Sequence, residues 1–171
     1  IVGHYNKGIL NNGSHLIELL LRLVGRLELV ATCSSNDDFL ESDPTVAILL
    51  TADEAQIPVY LNPGNAQDFA YFELELICEK ASIRMVSGGL GWHYRYVKSS
   101  SMFPGYRALD EIRYVEGRYL ESMSRAVDDV YASLTTGQSV GSCNEHLLRV
   151  QELCERIQQH ALTNIPGVYR N

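Results

Sequence analysis

The chain has 171 residues, with 21 Asp and Glu against 14 Lys and Arg, a formal charge of -7. Hydrophobic residues make up 46% and charged residues 20%, the composition of one globular domain rather than of a disordered or low-complexity chain. The acidic balance, with no clustered basic surface, excludes nucleic acid and an anionic membrane surface as partners.

The chain opens on Ile1-Val2-Gly3-His4-Tyr5 as if already inside a strand, with no initiator Met and no signal-peptide pattern. The expectation is a piece of a longer protein. Asn11-Asn12-Gly13-Ser14 then supplies helix-starting residues, and a helix follows from His15 to Val24 with Gly25 as its stop. Its leucines lie on nearly every face, which predicts extensive burial. Its apolar stretch is broken by Glu18, Arg22, Arg26 and Glu28, too charged to span a bilayer.

Strand patterns follow at 27–33, 46–50, 57–61, 69–78, 81–86 and 92–98, and residues 34–44, carrying Asn36, Asp37 and Asp38, read as a polar loop. Short polar turns between successive strands indicate an antiparallel meander. After a Ser/Gly/Pro loop at 99–105 the period changes: Val115, Tyr119, Met123, Ala126, Val130 and Leu134 recur at helical spacing. Leu147, Leu148, Cys154, Ile157 and Ala161 mark a last helix, begun at Ser142-Cys143-Asn144-Glu145. The class is α+β: a single domain, 1–171, with one mostly antiparallel sheet of about six strands and helices packed on one face.

Cys33, Cys78, Cys143 and Cys154 are scattered, with no CxxC pair, and read as reduced thiols of a cytoplasmic protein. The five histidines show no metal-ligand spacing, so no metal site is expected. Gly88-Gly89-Leu90-Gly91 lies between two strands and lacks a following helix, which makes it a hairpin and not a dinucleotide fingerprint. No phosphate loop or nucleophile elbow is present.

One cluster carries chemistry. Asn11, His15 and Glu18 fall at i, i+4 and i+7 around the start of the first helix. A histidine in a first turn can act as a proton acceptor, with Glu18 close enough to orient it. A capping residue beside a packed histidine is the structural alternative. Lys7 precedes this cluster. Trp92, Tyr94 and Tyr96 share one strand face and suit a sugar site, a dimer interface or simple packing. Arg107, in the loop after Gly105, can meet a phosphate or carboxylate.

The stretch from Lys7 to Leu20, Lys-Gly-Ile-Leu-Asn-Asn-Gly-Ser-His-Leu-Ile-Glu-Leu-Leu, resembles the second signature of the Gfo/Idh/MocA oxidoreductases, the glucose–fructose oxidoreductase and inositol dehydrogenase family. That signature reads Asp-x-Gly-x-His-x-x-Asp at the start of a helix. Residues 139–153 resemble the loop and last helix of the same family. The resemblance implies the C-terminal half of a two-domain enzyme dependent on NAD or NADP, whose N-terminal Rossmann domain is not in this chain. That domain would bind the dinucleotide and supply a Lys from a Glu-Lys-Pro segment, leaving no cofactor site in the chain itself. The implied catalytic residues are His15, as acceptor of a hydroxyl proton, and Asn11, standing where many members have Asp. Glu18 replaces the second Asp. Lys7, Glu18, Trp92, Tyr94 and Arg107 are the candidate substrate contacts.

The implied substrate is a sugar, cyclitol or nucleotide-sugar alcohol. The implied partners are the Rossmann domain and a second copy, in a homodimer or larger homo-oligomer. The competing reading is a non-catalytic dimerisation or assembly module of the same fold, which Asn11 for Asp favours.

Overall fold

A computed structural model describes residues 1–40, 42–52, 56–137 and 144–164. The strands are β1 (Val2–Tyr5), β2 (Leu27–Leu40), β3 (Asp43–Ala52), β4 (Ile57–Pro63), β5 (Glu73–Ile77), β6 (Ala81–Val86), β7 (Gly91–Ser99), β8 (Arg107–Leu109) and β9 (Arg113–Glu116). The helices are α1 (Ser14–Val24), α2 (Ser122–Thr136) and α3 (Asn144–Asn164). A wide π-helical turn, Gly8–Gly13, joins β1 to α1. The nine strands form one sheet in the order β2-β3-β4-β1-β5-β6-β7-β8, with β9 also on β7. Among the described residues only the β1–β4 pair is parallel. The α+β class and the mostly antiparallel sheet match the sequence-based expectation.

One row of side chains crosses the sheet. Thr32, Ile48, Leu61, Gly3, Leu74, Met85, Trp92 and Val115 are successive cross-strand partners, so all eight point to the same face. That face carries α1 and α3. Leu16, Ile17 and Leu20 of α1 and Leu153, Ile157 and Ala161 of α3 are buried against Ile48, Leu61 and Leu74. Gly3 is required where α1 crosses β1: a Cβ there would lie 2.7 Å from Leu61 Cδ2 and 2.9 Å from Leu16 Cδ2. At one end of the row Thr32 Oγ1 lies 2.8 Å from His160 Nδ1 of α3. At the other end Trp92 is half-buried and Val115 exposed, because neither helix reaches that far. The opposite face is open, and its matching row runs through Tyr60, Val2, Glu75, Arg84, His93 and Tyr114.

Several expectations are corrected. Residues 34–40 are strand, not loop: β2 continues through them with irregular register against β3. Its inward Asp38 is satisfied by the Thr45 hydroxyl and by the N–H groups of Lys7 and Ala66, so a polar run is tolerated inside the sheet. The strand expected at 69–78 begins only at Glu73; Asp68 and Phe69 instead donate to Asn65 O in a turn. Val115 belongs to a strand, and the helix following it starts at Ser122. The strand count of about six therefore rises to nine among the described residues. Leu147 and Leu148 are exposed, and α3 packs through Val150, Leu153, Cys154, Ile157 and Ala161.

The expectation of helices on one face holds for α1 and α3, while α2 buries none of its residues. Ser142 and Cys143, with the rest of 139–143 in the second family-like stretch, lie outside the described residues. Cys33, Cys78 and Cys154 are free thiols, and burial pushes the Cys154 thiol up to about 12. Among the described residues no helix is long and apolar enough to cross a membrane.

Candidate functional site

The turn between β1 and α1 is fixed by carboxylates from the β2–β3 hairpin. Lys7 and Gly8 both adopt positive φ, 65° and 85°. Gly8 is required there, because a Cβ would lie 2.7 Å from the Asp43 backbone carbonyl and closer still to its carboxylate. The Lys7 N–H donates to Asp38 Oδ2 at 2.9 Å and the Gly8 N–H to Thr45 Oγ1 at 2.7 Å. The Leu10 N–H donates to Asp43 Oδ1 at 2.8 Å, and the Asn11 N–H to Asp43 Oδ2 at 3.1 Å. Asp38 and Asp43 are buried. Burial raises the Asp43 carboxyl above its usual range, partly offset by the backbone N–H groups it accepts. These bonds occupy the free donors of a helix start and set the direction in which α1 leaves the sheet. No side chain caps α1 itself; the chain passes directly from the wide turn into it.

α1 then presents His15, exposed in its first turn, to a cavity of about 900 Å³. The cavity floor is the uncovered end of the transverse row, Met85, Trp92 and Val115, with Phe72 beside it. Asn12 lies next to His15 on the wall, and the far rim is the Ser87–Leu90 turn with residues 116–119. Gly88 and Gly89 take positive φ in that turn. A smaller cavity of about 360 Å³ shares Asn12, Phe72, Ser87 and Gly88 with the large one and reaches the buried Asn6. The whole is an apolar basin with a few polar groups at its edge, the usual form of a small-molecule site.

Of the residues singled out from sequence, His15 and Trp92 meet in this cavity. The others lie elsewhere. Asn11 is exposed and does not line it; its neighbour Asn12 does. Glu18 is engaged by Arg22 at 3.0 Å, one turn along α1. The Lys7 ammonium sits 5.9 Å from the centre of the Phe39 ring. Tyr94 shares the Trp92 face but lies outside the cavity lining. The Arg107 guanidinium donates to Glu79 O at 2.8 Å, beside a separate cavity at the β8 edge. Asn12, Phe72, Met85 and Tyr119 also line the cavity and were not singled out from sequence as site residues. Met85 becomes visible only once its register with Trp92 is known.

The aromatic stripe is on the helix face, not on the open face with Glu73 and Arg84. There Arg84 binds Glu73 at 2.7 Å, and His4 stacks on Tyr71 with ring centres 4.7 Å apart. Burial holds the His4 imidazole below its usual range, opposed by Glu73.

Among the described residues, two turns can be compared with a pyrophosphate cradle, and neither fits one. The Gly-rich turn at 87–91 joins two antiparallel strands. The one turn leading from the parallel-paired β1 into a helix has its N–H groups occupied by Asp38, Thr45 and Asp43. Two carboxylates at a helix start exclude a phosphate there.

This α+β architecture is the fold found in part of several solved oxidoreductase and repressor structures. The chain is similar to UDP-N-acetylglucosamine 3-dehydrogenase from Acidithiobacillus ferrooxidans, at 10% identity and TM-score 0.68, over 93% of this chain and 53% of that one. It is similar to a super-repressor mutant of Gal80p from Saccharomyces cerevisiae, at 9% identity and TM-score 0.67, over 95% and 55% of the two chains. It is also similar to the dehydrogenase MviM from Clostridium difficile, at 12% identity and TM-score 0.62, over 92% and 53%. The chain thus spans about half the length of these structures. At such identities the likeness is one of fold. No protein-family model matches the chain, and no curated protein matches it.

Proposed function

We propose that this chain is the substrate-binding half of an oxidoreductase that uses NAD or NADP, acting on the CH–OH group of a sugar, cyclitol or nucleotide-sugar alcohol. The supporting observation is His15 on the wall of an apolar cavity floored by Trp92 and Met85. An aromatic floor suits the C–H face of a carbohydrate ring. An imidazole on the wall can accept the proton of a hydroxyl held beneath it as that carbon is oxidised. A nicotinamide, carried by another domain of the same polypeptide, would supply the hydride acceptor. A second copy would pair through the open sheet face. The test is turnover by the intact polypeptide on a panel of such alcohols, before and after His15→Ala.

One observation favours the non-catalytic module instead. Glu18 is committed to Arg22, and neither Asn11 nor Glu18 lines the cavity, so the ring lacks the carboxylate support the family-like spacing implies. An intact polypeptide that binds NAD or NADP, yet turns over no alcohol in that panel, would establish the module.

A further inference from the structure

We infer that the cavity between the C-terminal end of α1, the start of β2 and α3 is a second binding site, which takes a small organic molecule bearing phosphate or carboxylate groups. It shares no residue with the His15 cavity and stands whether or not the chain belongs to an oxidoreductase.

The cavity has a volume of about 590 Å³, and Arg26, Arg149 and Arg156 line it. Arg26 comes from the residue before β2, and Arg149 and Arg156 from α3. Seven residues is close to two turns, so the last two lie on one face of that helix. Glu152 is the one acid of the lining. It stands three residues from Arg149 and four from Arg156, spacings that favour an ion pair, yet among the described residues it pairs with neither. The lining thus carries an excess of positive charge in a chain whose formal charge is -7. The His15 cavity, by contrast, sets Arg118 against Glu116. Arg26 is far from Arg149 and Arg156 in sequence, so the cluster exists only in the fold.

These guanidinium groups are available to a ligand. Among the described residues Arg156 has no hydrogen bond or ion pair. Arg26 meets Glu28 at 2.7 Å and Arg149 meets Glu145 at 2.9 Å, and both pairs are exposed. Exposed pairs of this kind contribute little and open to a better-placed oxyanion. The end of α1 does not consume the charges either, since Leu21 O and Val24 O accept the N–H groups of Gly25 and Arg26.

The chemistry of the lining selects the ligand class. A planar guanidinium offers paired N–H donors that match two oxygens of a carboxylate or phosphate, and three of them suit a molecule with more than one negative charge. Leu21, Leu27 and Leu153, all buried, give the cavity an apolar base for a carbon skeleton. Three cations around one cavity are too few and too confined for a nucleic acid, whose phosphates need an extended basic surface.

Isothermal titration calorimetry of citrate and of inorganic pyrophosphate into the 171-residue chain at low ionic strength tests this. At least one of the two should bind once per chain with a Kd below about 1 mM, and more weakly as salt is added. The tighter of the two identifies the ligand as a carboxylate or a phosphate compound. Arg156→Gln and Arg149→Gln should each weaken that binding by about 10-fold or more, and Arg156→Lys, which keeps the charge and loses the fork, should weaken it less. Arg113→Gln makes the same change of charge on β9, outside the cavity, and should leave the affinity unchanged. Thermal melting of each variant checks that it is folded. Binding of neither probe overturns the inference. So does binding that survives both Arg156→Gln and Arg149→Gln, or that Arg113→Gln weakens equally, which would make it a response to net charge alone.

Discussion

Asp43 accepts the backbone N–H of Leu10 at 2.8 Å across 33 residues of sequence, so the β2–β3 hairpin holds the turn that aims α1 at the cavity. With its carboxyl raised by burial, the folded form binds a proton more tightly than the unfolded chain. Stability from this group is therefore greatest at low pH, and is lost as pH rises from 3.8 through the folded value. Asp43→Asn does not titrate. Its unfolding free energy, measured by urea denaturation at a series of pH values, should fall less steeply just above pH 3.8 than that of the parent. Parallel profiles would contradict the burial of this carboxylate.

Tyr5 predicts a second, pH-independent loss. Its buried hydroxyl donates to Val46 O at 2.8 Å and accepts the Val46 N–H at 2.9 Å. Tyr5→Phe leaves both groups of a buried strand unpaired. The expected cost is about 1–3 kcal/mol, or about 2–4 °C in melting temperature per kcal/mol for a chain of this size. A variant melting with the parent would show that water reaches this strand.

Much of this fold is legible in the sequence where local pattern and tertiary role agree. The Asn-Asn-Gly-Ser start and leucine run gave α1 within a residue, and alternation gave β6 and β7. The second half of β2 was hidden, because Ser34 to Asp38 has loop composition. Its strand character depends on hydrogen bonds from Lys7, Thr45 and Ala66 to Asp38, all distant in sequence. Of the residues singled out from sequence, His15 and Trp92 line the cavity and Asn11 does not. An i, i+4 pairing of Asn11 with His15 assumes α-helical turns throughout. The wide turn over Gly8–Gly13 has more residues per turn, and Asn12 lines the cavity instead.

The open face of the sheet carries the prediction of self-association. Tyr60 and Tyr114 are exposed there, in one row with Arg84 and His93. Tyr60→Glu should shift the sedimenting species toward the 19.2 kDa monomer, by placing a charge in the contact. Trp92→Glu should not, because that side chain points to the helix face. The opposite pattern would move the interface to the cavity side.

The most direct measurement is the turnover of the intact polypeptide with and without His15. With His15 as the proton acceptor, His15→Ala should lower kcat by about 10²–10⁴ while nicotinamide affinity stays nearly unchanged, since the proposed function places the dinucleotide on another domain. A His15→Ala variant retaining more than about a third of parental kcat, far short of the loss of a general base, would contradict the account and leave His15 a packing residue of a non-catalytic module.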